Sequence, residues 1–138
     1  MVISKQIELL SDGHFNVMVI TDTVAEFVQE SGLKNGQVFV FYQHTTGAVI
    51  VSEHETGIVA DMQDMFEEIA PFHRAYKHHI RAVDFNGQAH LRSALLGSQV
   101  SLPVIDGKIA KGTYQDIIVL DDQVDAEPRY LVLQVMGE

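Results

Sequence analysis

The chain contains no cysteine, which removes a disulfide framework, a thiolate nucleophile and any cysteine-based metal site. Positive charge is also scarce: nine Lys and Arg stand against nineteen Asp and Glu, a formal charge of −10. That field repels phosphate backbones, so nucleic acid is not an expected partner. No apolar run approaches the ~18 residues of a membrane span, and the N-terminal MVISKQIELL carries no signal-peptide pattern. A cytoplasmic protein without a membrane partner is the expectation. Any metal must be held by histidines and carboxylates.

What is present is a chain of 138 residues, 46% hydrophobic and 20% charged, which reads as one globular domain over residues 1–138. Strand-like runs cover 2–10 and 14–20, with Ser11-Asp12-Gly13 between them as a hairpin turn. Thr21 or Asp22 can cap a helix whose apolar positions Val24, Phe27 and Val28 run up to Gly32. Gly36 opens the strand GQVFVFYQ, and the following FYQHTTGAVIVSE supplies its partner. Residues 58–69 place Ile58, Met62, Met65, Phe66 and Ile69 on one helical face, stopped by Pro71. Polar, irregular text follows to about 87. The short helix QAHLRSALLG then closes on Gly97, with its leucines directed to the core. The last third is strand-rich: SQVSLPVI, a turn at Asp106-Gly107-Lys108, TYQDIIVL, an acidic loop and PRYLVLQV. Short turns without regular βαβ alternation predict a single-domain α+β fold, with antiparallel sheets in a sandwich or barrel and two or three helices.

Seven histidines carry the chemical interest. His14, His54 and His73 sit at turns or element ends, where solvated roles suffice. His44 lies at a strand end beside Thr45 and Thr46, His78 in the irregular loop, and His90 in the first turn of a short helix. Three imidazoles from such places can converge on one divalent ion and leave a fourth position open. Glu53, Asp84 and the threonine hydroxyls are candidates for orienting them. The intervals, 34 residues from His44 to His78 and 12 from His78 to His90, match no metal signature, and ordinary surface or core histidines give the same spacing. His79, adjacent to His78, is expected to face away from it.

Other groupings have plain readings beside the chemical ones. Glu53 could be a general base or a solvated strand end. Asp61, Asp64, Glu67 and Glu68 read as the wet face of an amphipathic helix. Asp84 and Asn86 beside Gly87 suit a turn. Lys108 and Lys111 near Gly107 and Gly112 could receive a phosphate, although hairpin geometry accounts for the glycines. Ser93, His90 and Asp84 could be assembled into a triad, but no nucleophile-elbow pattern accompanies them.

Taken together, HTTGAVIVSE, the YKHH loop with Asp84 and Asn86, AHLRSALLG, LPVIDGKIAKGTYQ and the terminal PRYLVLQVMGE resemble the YjbQ-like family, described as secondary thiamine-phosphate synthases. The blocks fall in family order from about residue 36. The resemblance implies that His44, His78 and His90 hold a divalent metal, usually zinc, with magnesium the alternative for a diphosphate substrate. It implies catalytic roles for Glu53, Asp84 and Asn86, and substrate binding by Thr45, Thr46, Gln115 and Arg129; Arg92 and Lys111 are substrate-binding candidates with Arg129 because a leaving diphosphate needs cations to take up its charge. It also implies a homotrimer with sites near subunit contacts. The activity implied is a transferase reaction joining a hydroxymethylpyrimidine diphosphate to a thiazole phosphate.

Several positions depart from the family pattern. Ser52 stands for the usual Asn, HETG replaces the segment after it, Arg92 stands for Lys, Ala94 for a small hydroxyl residue and Tyr114 for Trp. A site built from histidines also suits zinc and water activation better than magnesium-diphosphate chemistry. A zinc-dependent hydrolase of a small anionic or phosphorylated molecule, and a non-catalytic trimer that binds metal or ligand, therefore stand beside the synthase reading.

Overall fold

The computed structural model describes residues 1–82 and 84–138. It shows an α+β fold with eight strands and four helices among the described residues. Strands β1 (Val2–Ser11), β8 (Glu127–Gly137), β3 (Gly36–Tyr42), β5 (Gln99–Ile105) and β6 (Lys108–Ile109) form one sheet in that order. Strands β2 (Asn16–Val19), β7 (Asp116–Asp121) and β4 (Gly47–Ser52) form a second. The pairings are antiparallel throughout.

The two sheets share one core. Val38 and Val40 of β3 and Leu131, Leu133 and Val135 of β8 alternate inward with period two, as a half-buried strand requires. From the second sheet Val49, Ile117 and Val119 meet them. Ile118 and Leu120, on the opposite face of β7, pack instead with Phe66. Strand β7 is thus covered on both sides, which is why IIVL is an unbroken apolar run. Helix α1 (Thr21–Ser31) adds Val24, Phe27 and Val28 to the first cluster. Helix α2 (Thr56–Ile69) contributes Phe66 to the second, with Met62 of α2 and Leu96 of α4 (Gly87–Leu96) partly buried against it.

The structure corrects several local expectations. Ser11-Asp12-Gly13 is not a hairpin turn: β1 pairs with β8 and β2 with β7, so this segment carries the chain from one sheet to the other. Likewise FYQHTTGAVIVSE is not the partner of β3. Strand β3 lies between β8 and β5, while β4 joins β7. His44-Thr45-Thr46 is the point at which the backbone crosses between sheets, and this explains three polar residues between two core strands. Thr21 does not cap α1. Its hydroxyl donates to Asp116 Oδ1 at 2.6 Å and accepts from the Ile117 N–H, tying the helix start to β7. Glu55 caps α2, accepting from Gly57 and Ile58 N–H. The irregular stretch contains a one-turn helix, α3 (Lys77–Arg81), which carries His78 and His79. The leucines of α4 are not uniformly core: Leu91 and Leu95 are exposed, as are Met65 and Ile69 of α2.

Candidate metal and ligand pocket

Three connections meet at one end of the sandwich: the β3–β4 crossing, the α3–α4 loop and the β7–β8 loop. They border an open pocket of about 330 Å³ lined by Gln43, His44, Thr45, Thr46, Asp84, Asn86, His90, Gln123 and Arg129.

The α3–α4 loop is held from several sides. His78 Nε2 lies 3.0 Å from Asn86 Oδ1 and 3.1 Å from Asp84 Oδ1. Asn86, almost fully buried, donates its amide to Gln123 Oε1 at 3.0 Å and so anchors the loop to the β7–β8 connection. Phe85 between them has φ 51°, an uncommon conformation for a bulky side chain that needs surrounding structure to hold it. His79 does not simply face outward. Its Nε2 accepts the Gly87 N–H at 3.0 Å, and its ring packs on Tyr76 and Phe85. Gly87 itself allows no side chain, since a Cβ would stand 2.7 Å from the Tyr76 ring.

His78, Asp84 and His90 each offer a ligand atom, and these atoms lie within 4.8 Å of one another. The two imidazole rings meet edge-on, 4.7 Å between centroids. His90 Nδ1 donates to the Thr45 carbonyl at 2.9 Å. That bond places the ring proton on Nδ1 and leaves the Nε2 lone pair free, the arrangement by which a backbone acceptor orients a ligating histidine. Two imidazoles and one carboxylate, with the remaining directions open to a pocket, suit a divalent ion of the zinc type.

His44 is placed differently. Its Nε2 accepts the Tyr130 N–H at 2.9 Å, and its Nδ1 lies 3.3 Å from Arg129 Nη1. A neutral imidazole has one lone pair, and Nε2 commits it to the Tyr130 N–H, so His44 stands in the pocket wall with none directed at the other two histidines. Burial, then the Arg129 charge, lowers its pKa from the ordinary imidazole value, and the ring is held neutral.

Arg129 is itself almost fully buried. Its Nη2 donates to Thr46 Oγ1 and Glu127 Oε1, each at 3.2 Å. Its Nε lies 3.1 Å from Asp121 Oδ2, an ion-pair distance whose angle is too poor for a hydrogen bond. Asp121, wholly buried, also accepts from Ser11 and Tyr42 hydroxyls and from the Gln123 N–H. Burial, then the Asp121 carboxylate, raises the Tyr42 pKa far above its usual value. Neither Asp121 nor Gln123 was expected from the sequence. The available signal was an acid ending the two-sided apolar run IIVL, where a charge has to be paired.

The remaining sequence candidates lie elsewhere. Glu53 is exposed beyond the end of β4. Arg92 is buried, donating to the Ala70 carbonyl, Glu67 and Asp122. Lys111 borders a separate groove with Lys34 and Lys108, and Gln115 accepts the Gly112 N–H in its own loop. None of these four lines the histidine pocket.

A family model described as "UPF0047 protein YjbQ-like" matches residues 5–138. The chain belongs to this family. A UPF0047 protein of Methanothermobacter thermautotrophicus is 34% identical over 116 residues, covering 84% of this chain and 80% of the relative. One from Archaeoglobus fulgidus is 38% identical over 105 residues, 76% of this chain and 79% of the relative. Among solved structures, a Sulfolobus solfataricus protein described as YbjQ-like and of unknown function superposes with a TM-score of 0.94 at 32% identity, covering 100% of this chain and 99% of the other. A hypothetical protein of Aeropyrum pernix gives a TM-score of 0.90 at 28% identity, covering 98% of each chain. The family and its curled α+β sandwich are thus the chain's own. No described helix is long and apolar enough to cross a membrane.

Proposed function

We propose that this chain is a divalent-metal enzyme that hydrolyses a small anionic substrate in the histidine pocket. The observation that carries the reading is the grouping of His78, Asp84 and His90 ligand atoms within 4.8 Å at the edge of an open 330 Å³ pocket. Bound there, a divalent ion supplies Lewis acidity and water activation. The chain's own groups do the rest. The Thr45 carbonyl fixes the His90 tautomer, and His78 would exchange the Asn86 and Asp84 oxygens that face its Nε2 for the ion. Arg129 Nη1 and the Thr46 hydroxyl could donate to an anionic oxygen, and burial, then the Arg129 charge, keeps His44 neutral. In this reading Asp84 is a metal ligand rather than a general base.

The test is hydrolysis of p-nitrophenyl phosphate by zinc-loaded protein. Turnover lost in His90→Ala and kept in Glu53→Gln supports the reading. Turnover indifferent to zinc and to both substitutions contradicts it.

The thiamine-phosphate-synthase reading rests on the resemblance and on Arg129 at the pocket wall, which could meet a diphosphate. Product formed from the two thiamine precursors would establish it. Arg92 and Lys111, the other cations expected to share that load, point to other surroundings in one chain. A homotrimer is proposed from the resemblance and from the exposed Met65, Ile69, Leu91 and Leu95 on α2 and α4, apolar surface that association would cover. A cytoplasmic location remains an inference from the sequence.

A further inference from the structure

His90 also lines a second open pocket, of about 370 Å³, together with Arg74, Tyr76, Lys77, His78 and Leu91. A molecule bound at the His78, Asp84 and His90 group can therefore extend into it. The charge of this pocket is opposite to that of the chain. The protein carries −10 with only nine Lys and Arg, yet two of those cations meet here and no acidic residue is in the lining. The groove at Lys34, Lys108 and Lys111, by contrast, also contains Asp22 and Asp106.

Arg74 and Lys77 are exposed, and among the described residues neither lies within ion-pair distance of a carboxylate. Arg92 and Arg129, the arginines of the other pockets, are both paired with acids. Arg74 is nevertheless held in place. Its guanidinium carbon lies 5.2 Å from the centroid of the Tyr76 ring, a contact that orients the charge without neutralising it or occupying its N–H donors. The ring is itself fixed. Its hydroxyl donates to the Pro71 carbonyl at 2.6 Å, and Gly87 packs against it so closely that a Cβ would stand 2.7 Å away. Backbone bonds from Arg74 N–H to the Phe72 carbonyl and from Tyr76 N–H to the Arg74 carbonyl, 3.2 and 3.1 Å, fold segment 72–76 tightly. A placed guanidinium with free donors, a lysine beside it and an apolar contact at Leu91 suit an anionic group on a carbon body.

We propose that this pocket holds a second anionic group of the substrate, a phosphate or a carboxylate remote from the bond that reacts in the histidine pocket. Arg74 takes two of its oxygens side by side, and Lys77 adds a point charge. Binding energy from such a remote group helps to place the reacting bond at the ion. The substrate class thereby narrows from a small anion to a molecule with two anionic ends, one beside Arg129 and one beside Arg74. Calling the ligand a substrate rests on the function proposed above; the anion site itself does not.

NMR titration of the full chain with a chelator present tests the site, at pH 8, where an ordinary imidazole carries no charge. Phenylphosphonate and benzoate are the phosphate-like and carboxylate probes, and benzyl alcohol is the uncharged counterpart. The chelator removes any ion, so hydrolysis that proves indifferent to zinc would end the metal reading and leave this titration untouched. Saturable binding of one or both anions is expected, with amide shifts centred on residues 74–78, weakened about tenfold by Arg74→Gln and by Lys77→Gln. Both side chains are exposed, so the variants keep the fold. Tighter binding of phenylphosphonate assigns a phosphate, and tighter binding of benzoate a carboxylate. No saturable binding of either anion, equal binding of benzyl alcohol, or affinity unchanged in either variant would each overturn the proposal.

Discussion

His44 and His90 are both pocket histidines, and their hydrogen bonds give them opposite capacities. His90 donates through Nδ1 and keeps a lone pair for the pocket; His44 accepts through Nε2 beside a guanidinium and does not. Burial and Arg129 hold the His44 pKa below 6.5, so the unfolded chain takes up that proton first on acidification. Stability therefore falls as pH drops from about 6.5 toward the folded-state value and flattens below it. His44→Gln should lessen that slope in a series of denaturant melts; a slope unchanged in the variant would assign it to other groups. At this scale the sequence was only partly legible. His44 and His90 could be named in it, but which nitrogen each commits is decided by Tyr130 and Thr45 backbone atoms, which no side-chain pattern encodes. Asp121 was missed because its partners Ser11, Tyr42 and Arg129 come from three different strands.

At the scale of elements, Arg92 joins the end of α2 to α4 through the Ala70 carbonyl, Glu67 and Asp122. Asp122 is buried, and desolvation raises its pKa even beside Arg92. Arg92→Met leaves that carboxylate without its partner and should cost about 3–5 kcal/mol in chemical denaturation. A cost below about 1 kcal/mol would show that the pair is replaceable by packing. In the α3–α4 loop, Gly87→Ala drives a methyl into the Tyr76 ring. It should displace His78 and Asp84, weakening zinc affinity at least tenfold in a competition titration with little loss of helix signal in circular dichroism; unaltered affinity would uncouple the loop from the metal. The strands themselves were legible, since alternation in β3 and β8 and the apolar run of β7 follow directly from burial on one face or two. Their partners were not. Segments 11–16 and 42–47 connect different sheets, and a short polar turn reads the same whether it folds a hairpin or crosses a sandwich.

For the molecule as a whole, the excess of acid and the family membership agree with a compact α+β protein, but charge and fold alone assign no activity. If the proposed trimer covers the exposed apolar residues of α2 and α4, the wild type has a solution mass of three chains and Leu95→Glu a lower one; a monomer of unchanged mass in both would remove the trimer. The central claim is that His78, Asp84 and His90 hold a divalent ion without His44. Elemental analysis of purified protein after zinc incubation and dialysis, run on the wild type, His44→Gln, Asp84→Asn and His78→Ala/His90→Ala, tests it most directly. The account predicts one zinc per chain in the wild type and His44→Gln, with loss in the double variant and weakened retention in Asp84→Asn. Zinc lost from His44→Gln but fully kept by Asp84→Asn, or no zinc in any of the four, would contradict it.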